Sequence, residues 1–336
     1  MKEYSAKNPP LRVFGIPNFD ATHTFHRLPA EVMEAIPGLS FLGRRPPGGR
    51  VCFRTDSPTL TVKLTFETLS VDIGMSIYAC QSAHVFLGDR PSSVFLGQVN
   101  PWNYECKTFE RTFRTNGKME DVTIFLPRNE ILSELSVVVE DGARVEPPTP
   151  YRYEKPILYY GSSITEGGIA NGPANGYNAI ISRHLDADYY NLGFSGNAKG
   201  ELAMADYINT LDFSVFVYDY DHNAPTVEHL AATHEPFFRR IRAVHPTVPV
   251  VMMTRPSAAY NEDCIARRAV VKATYDRARA EGDRNVYFID GEDFFRDDPD
   301  REIYFIDTIH PNDLGFYRMA QVVEPVIRQL LEQAEQ

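Results

Sequence analysis

The sequence predicts an α/β fold: a three-layer, flavodoxin-like domain around a five-stranded parallel sheet, preceded by an N-terminal β-sandwich of jelly-roll type. Three observations carry this expectation. Up to about residue 145, short apolar runs of strand length are separated by turn residues. Glu146-Pro147-Pro148-Thr149-Pro150 then breaks the pattern. Beyond Pro156, short apolar runs alternate with helical periodicity, the arrangement that gives parallel strands with right-handed crossovers. The expected domains are 1–148 and 149–336.

In the first part, Leu60-Thr61-Val62-Lys63-Leu64-Thr65-Phe66 alternates apolar and polar residues with period two, the pattern of a half-buried strand. Similar runs at Val51–Phe53, Ile77–Cys80, His84–Leu87, Val94–Leu96, Thr108–Phe113, Val122–Leu126 and Leu135–Glu140 are also read as strands. Asn116-Gly117 is the expected hairpin turn between Phe113 and Val122. Trp102 and Tyr104, beside Pro101, are expected to pack on their own loop rather than on a ligand. Proline fixes φ and removes donors, so Glu146–Pro150 reads as a stiff connector between the domains.

In the second part, strands are expected at Ile157–Tyr160, Tyr189–Leu192, Phe213–Tyr218, Val248–Met253 and Val286–Ile289. Helices are expected near Gly176–Leu185, Thr226–Val244, Glu262–Glu281 and Asp313–Glu332. The last carries Phe316, Ala320, Val323, Ile327 and Leu330 at spacings of three and four, one apolar stripe. His234 shares a face with Leu230, Phe237 and Ile241, so a buried, hydrogen-bonded histidine under the sheet is expected.

Bulk properties narrow the function classes. With 336 residues the chain is long for a single core, and 43% apolar against 24% charged residues places it among ordinary globular proteins. A formal charge of −11 argues against nucleic acid and anionic membrane surfaces as partners. No apolar run approaches a membrane span and the N-terminus has no apolar signal core, so a cytoplasmic protein is expected. Cys52, Cys80, Cys106 and Cys264 are widely spaced, three of them in expected strands, and are read as reduced, packed residues rather than a zinc site.

The chemistry-bearing residues fall at strand ends. Gly161-Ser162-Ser163 ends the first expected strand of the second part, Gly193-Phe194-Ser195-Gly196-Asn197 the next, and Asp219-Tyr220-Asp221-His222-Asn223 the third. Asp307-Thr308-Ile309-His310-Pro311 precedes the final helix. In a doubly wound sheet such loops share one edge and can converge. Acyl transfer by serine needs a neutral histidine to take the hydroxyl proton, a carboxylate to orient that histidine, and donors for the oxyanion. Asp307 and His310, three apart, suit the base and its orienter, while the Ser163 and Gly196 N–H groups and the Asn223 side-chain amide suit the donors. Asn171 in the Gly- and Asn-rich stretch Asn171–Gly176, His222, and Arg255 at the end of Val248–Met253 are candidate substrate-binding residues. Asp219-Tyr220-Asp221-His222 lacks metal-ligand spacing, and neither a metal nor an organic cofactor is expected.

Gly161-Ser162-Ser163-Ile164-Thr165, Asn191–Asn197, His222-Asn223-Ala224-Pro225 and Asp307–Pro311 together resemble the ordered blocks of the SGNH (GDSL-type) hydrolase superfamily. Gly74-Met75-Ser76-Ile77-Tyr78 looks like a degenerate form of the Gly-x-Asp-Leu-Tyr signature in the N-terminal β-domain of a two-domain branch. The resemblance implies Ser163 as nucleophile, His310 as general base, Asp307 as its orienter, and Ser163, Gly196 and Asn223 as the oxyanion hole. Ser162 stands where the family usually has Asp and is given no role. Asp221 stands where the third block usually has Gly.

The expected function is therefore a serine esterase that hydrolyses a short acyl ester, acetyl foremost, on a carbohydrate or other polar small molecule through an acyl-enzyme. The branch includes carbohydrate deacetylases, and the sequence has no long apolar lid segment. Two further readings fit the same residues: an acyltransferase using the same serine chemistry, and a non-catalytic carbohydrate-binding protein.

Overall fold

The computed structural model describes residues 1–257 and 261–335. The first part of the chain forms β1 (Lys2–Ser5), β2 (Arg12–Phe14), β3 (Arg50–Thr55), β4 (Thr59–Phe66), β5 (Ala83–Leu87), β6 (Val94–Val99), β7 (Thr108–Arg114), β8 (Glu120–Phe125), β9 (Leu132–Val139) and β10 (Val145–Glu146). Short helices α1 (Phe19–Thr22), α2 (Ala30–Ala35) and α3 (Ile77–Gln81) interrupt them. The strands build two antiparallel sheets, ordered β1-β9-β4-β7 and β10-β3-β8-β5-β6, with β2 on the edge of β3. Leu60, Val62, Leu64 and Phe66 of β4 point into a core shared with Val51, Phe53, Val122 and Ile124 of the facing sheet. The period-two alternation thus gives each sheet one face for the sandwich interior.

Four expectations for this part are corrected. Ile77–Cys80 is helix rather than strand: the Ser76 hydroxyl accepts from the Ala79 N–H at 3.2 Å and caps the first turn. A four-residue apolar run fits either state, and the serine cap decides it. Asn116-Gly117 makes the tight turn, with Gly117 at φ 70°, but not a hairpin. β7 pairs with β4 while β8 pairs with β3 and β5, so the turn carries the chain from one sheet to the other. Trp102 does not pack on its loop; it is 81% exposed. Of the three cysteines expected in strands only Cys52 lies in one, since Cys80 is in α3 and Cys106 precedes β7.

The second part is built from β11 (Tyr153–Gly161), α4 (Ser163–Glu166), α5 (Tyr177–Leu185), β12 (Ala187–Gly193), α6 (Leu202–Ile208), β13 (Val215–Asp219), α7 (Val227–Val244), β14 (Val250–Met253), α8 (Glu262–Ala280), β15 (Val286–Ile289) and α9 (Asp313–Ala334). The five strands are parallel in the order β12-β11-β13-β14-β15. Alternate residues of β11 serve opposite faces: Ile157 and Tyr159 meet α5 and α9, while Leu158 and Tyr160 meet α6 and α7. The α9 stripe Phe316, Ala320, Val323, Ile327 and Leu330 is buried against the first of these faces. His234 of α7 is buried, with Nδ1 2.9 Å from the Thr274 hydroxyl. α6, absent from the sequence reading, is seven residues long and its period is too short to register.

Two buried arginines join the parts. β12 is an edge strand of the parallel sheet, and an open edge needs partners for its backbone. Arg27 donates to the Asn191 and Gly193 carbonyls at 2.8 and 2.7 Å, and Arg50 donates to the Tyr189 carbonyl at 3.0 Å. Their charges are matched by Glu166 and Asp188, because an unpaired buried guanidinium would be costly. Among the described residues no helix is long and apolar enough to cross a membrane.

Candidate active site

The topology brings four loops to the carboxyl edge of the parallel sheet. β11 runs up to Gly161, where a Cβ would lie 2.1 Å from both the Asp219 carbonyl and the Thr165 hydroxyl. Glycine therefore lets the ends of β11 and β13 close together, and the Ser162 N–H reaches the Asp219 carbonyl at 3.1 Å. The two adjacent serines then divide the work. The Ser162 hydroxyl accepts from the Ile164 N–H at 3.2 Å and caps α4. Ser163, at the first position of the helix, has no intrahelical acceptor for its N–H, and its hydroxyl faces a cavity.

Ser163 Oγ lies 2.9 Å from His310 Nε2, and His310 Nδ1 lies 2.8 Å from Asp307 Oδ2. An ionised carboxylate can only accept, so the Nδ1 proton points to Asp307 and the Nε2 lone pair is free to accept from the Ser163 hydroxyl. Asp307 also takes the backbone N–H groups of Ile309 and His310, at 2.7 and 2.6 Å, through Oδ1. Burial alone would raise the Asp307 carboxyl, but the hydrogen bonds from His310 and Ile309 outweigh it and hold it below its ordinary value of 3.8. The loop is closed at its base, where the Ile306 N–H donates to the His310 carbonyl at 3.1 Å and Asn312 caps α9.

Gly196 follows β12 in a turn at φ 70°, a conformation that suits glycine. Asn223 follows β13; its side-chain oxygen accepts from the Ala198 N–H at 3.3 Å, which leaves its NH₂ as a donor. Ser163, Gly196, Asn223 and His310 line one cavity of about 420 Å³, together with His222, Arg255 and Met75. Met75 comes from the β-sandwich, so the first part of the chain supplies a wall of the site. Each donor in such an arrangement can meet charge that develops on a bound carbonyl oxygen.

The groups beneath the cavity are carboxylates with raised values. Burial, and then the Asp221 charge, push Asp219 up to about 7, and its carboxylate accepts from the Thr165 hydroxyl at 3.0 Å. Burial pushes Asp221 up to about 6 despite the Arg255 N–H at 3.3 Å. Arg267 donates to the Asp221 and Ala224 carbonyls at 2.7 and 2.8 Å, and so fixes the turn that presents Asn223. Burial, followed by the charge of Arg255, holds His222 well below 6.5, and among the described residues its buried Nε2 has no hydrogen-bond partner. Both effects favour the neutral form of its imidazole. Among the described residues no group of three or more His, Cys, Asp or Glu is placed to hold a metal ion.

Asn171 is placed elsewhere. Its N–H and side-chain amide donate to the two oxygens of Asp313, at 2.8 and 3.1 Å, and it is not among the residues lining the cavity. The Gly-rich stretch that follows turns toward the β-sandwich, where Gly172 and Gly176 face Arg128. Sequence reasoning passed over Glu166. This buried carboxylate accepts from the Ser195 N–H at 2.9 Å, from the Ser195 hydroxyl and from Arg45, and lies 3.7 Å from Arg27. It ties the helix begun by Ser163 to the turn that carries Gly196. A charged residue on a four-residue helix gives no local sign of burial.

Known proteins resemble the chain in both parts. The model of the GDSL-like lipase/acylhydrolase family matches residues 154–328, and the model for the N-terminus of Esterase_SGNH_hydro-type matches residues 4–145. Among solved structures, a protein of Bacteroides ovatus named as GDSL-like lipase is 24% identical, with a TM-score of 0.87 over 98% of each chain. A salicylyl-acyltransferase from a tetracycline biosynthetic pathway is 21% identical, with a TM-score of 0.81 over 98% of this chain and 97% of its own. A family two carbohydrate esterase from Clostridium thermocellum, in complex with cellohexaose, is 15% identical, with a TM-score of 0.63 over 87% of this chain and 98% of its own. At these identities the likeness is one of fold. No curated protein sequence matches the chain.

Proposed function

The chain belongs to the GDSL-like lipase/acylhydrolase family, and on that premise we propose that it hydrolyses a short acyl ester of a polar alcohol, an acetylated carbohydrate foremost, through a covalent acyl-enzyme. The observation that carries this reading is the relay from Asp307 through His310 to the Ser163 hydroxyl. His310 Nε2 takes the hydroxyl proton as Ser163 Oγ attacks the ester carbonyl carbon. Asp307 holds the imidazole and stabilises the imidazolium. The Ser163 and Gly196 N–H groups and the Asn223 NH₂ receive the oxyanion. The tetrahedral adduct collapses, the C–O bond to the alcohol breaks, and His310 returns its proton to the leaving oxygen. Water then repeats the sequence on the acyl-enzyme, and His310 acts again as base and acid. His222 and Arg255 flank the position of the substrate. The boundary near 148/149 is part of the same proposal: the first unit walls the site through Met75, and the second carries the chemistry.

The short acyl group is supported by a cavity of about 420 Å³ that mixes apolar and polar walls. The test is a panel of short- and long-chain acyl esters and acetylated sugars, assayed with wild type and Ser163→Ala in parallel. Hydrolysis of acetyl esters that falls at least about 10³-fold in Ser163→Ala supports the reading. Equal rates in the two proteins would sink it.

Transfer to an acceptor hydroxyl is the second reading. The cavity wall supplied by Met75, from a different part of the chain, gives an acceptor a surface to occupy. Partitioning of the acyl group between water and added sugar or polyol acceptors separates the two outcomes.

A further inference from the structure

A second cavity, of about 330 Å³, opens where β6 and β7 meet. Each is the end strand of its own sheet, so the cavity lies along the open side of the sandwich. Trp102, 81% exposed, and Tyr78, 51% exposed, form its aromatic lining. Gln98, Asn100, Glu110 and Arg111 supply the polar lining. The volume falls in the range of about 300–1,000 Å³ typical of ligand sites.

Aromatic rings of this size ordinarily bury most of their surface, and leaving one in water forgoes the transfer free energy of that burial. Here two of the polar side chains beside the rings, Arg111 and Asn100, are held in place. Arg111 Nη1 donates to the Gln98 carbonyl at 2.8 Å, and the missing side chain of Gly97 leaves room for it: a Cβ there would lie 3.2 Å from the guanidinium. Asn100 Nδ2 donates to the Pro101 carbonyl at 2.9 Å. The arrangement therefore offers flat π-faces bordered by amide, carboxylate and guanidinium groups.

That chemistry matches a pyranose. One face of the sugar ring is a layer of C–H bonds that suits the negative face of an aromatic ring. Its rim of hydroxyls needs donors and acceptors side by side, which amide side chains provide together and Glu and Arg provide between them. A charged ligand is not favoured, since Glu110 and Arg111 offset each other. The linings of the two cavities are near neighbours in sequence: Met75 lines the one at Ser163, and Ile77 and Tyr78 line the second.

We propose that the cavity between β6 and β7, with Trp102 and Tyr78 in its wall, is a glycan subsite that takes the non-reacting sugar units of an acylated oligosaccharide whose ester is presented to Ser163. The proposal rests on the esterase reading for the position of the ester, but its binding half stands independently of catalysis.

Trp102 is the one tryptophan of the chain and reports on its own surroundings. Full-length Ser163→Ala protein is titrated with non-acylated cellohexaose and xylohexaose while tryptophan emission is followed. A saturable change with at least one of them, weakened about tenfold or more in Tyr78→Ala, is the expected result. Saturation by neither, or saturation unaffected by Tyr78→Ala, overturns the subsite. In catalysis, Trp102→Ala should lower the ratio of kcat/KM on acetylated cello- or xylo-oligosaccharide to that on p-nitrophenyl acetate about tenfold, through KM. An unchanged ratio overturns the subsite while leaving the esterase reading intact. A wild type that cleaves no ester sinks the esterase reading, and the fluorescence titration still decides the subsite. Saturable binding of an acidic or apolar protein segment instead of sugar would assign the surface to a partner and overturn the proposal.

Discussion

One carboxylate oxygen of Glu166 accepts both the backbone N–H and the hydroxyl of Ser195, 29 residues further along the chain. The other oxygen takes Arg45 and faces Arg27, both from the first part of the chain. A single buried charge thus joins the helix that begins at Ser163, the turn that carries Gly196, and the segment that packs against both. Burial would raise the Glu166 carboxyl, but the Arg45 and Arg27 charges and the Ser195 hydrogen bonds hold it below 4.5.

Replacing Glu166 by Gln should leave Arg27 and Arg45 without a buried counter-charge and loosen the turn at Gly196. Removing one member of a buried ion pair costs about 3–5 kcal/mol. A lowered unfolding midpoint together with a kcat reduced at least about tenfold in the still-folded protein is the expected pair of results. Because the folded carboxyl lies below its ordinary value, this contribution is present above pH 4.5 and fades as pH falls through the folded value. Thermal melts at neutral pH and steady-state kinetics below the melt measure both; unchanged values would remove Glu166 from this role.

Asn223→Ala removes the side-chain donor proposed for the oxyanion and leaves the backbone donors in place. Loss of one such donor costs about 10²–10³ in kcat. The effect should fall on kcat with KM within a few-fold, because the charge it meets develops only in the transition state. A loss confined to KM would instead make Asn223 a ground-state binding residue.

Asp307→Asn keeps a side-chain oxygen for the Ile309 and His310 N–H groups, so the loop should hold its shape. The imidazole loses its ionised acceptor, and with it the tautomer that leaves Nε2 free for Ser163. A fall of about 10⁴ in kcat is the scale for such a change in a serine triad. Kinetics on a short acyl ester, with circular dichroism to confirm the fold, test it; a loss under tenfold would mean another group orients His310.

Asp219 gives a pH signature of stability. Its folded value of about 7 lies above the ordinary 3.8, so between those values the folded state holds a proton that the unfolded chain has released. Stability from this group is greatest at the acid end of that window and declines as pH rises to about 7. Asp219→Asn removes the titration. The difference in melting temperature between pH 5 and pH 8 should therefore be smaller in Asp219→Asn than in wild type, and equal differences would refute a raised Asp219.

The sequence alone determined much of the fold, because its signals are local. Strand and helix periods, proline punctuation and the apolar stripe of the last helix depend on residues within a few positions of one another, and they gave the parallel sheet and its order of elements. The same locality brought Ser163, Gly196, Asn223, Asp307 and His310 to one edge, since strand ends in such a sheet share that edge whatever the side chains do. Tertiary structure decided what lies between distant segments. It turned Asn116-Gly117 from a hairpin into a crossing between sheets, gave the capping role to Ser162, and sent Asn171 to Asp313. It also placed Met75 in the wall of the cavity and buried Glu166 between Arg45 and Ser195. The physical reason is that burial and pairing are set by which surfaces meet, and a charged or small polar residue looks the same in sequence whether it ends in solvent or in the core.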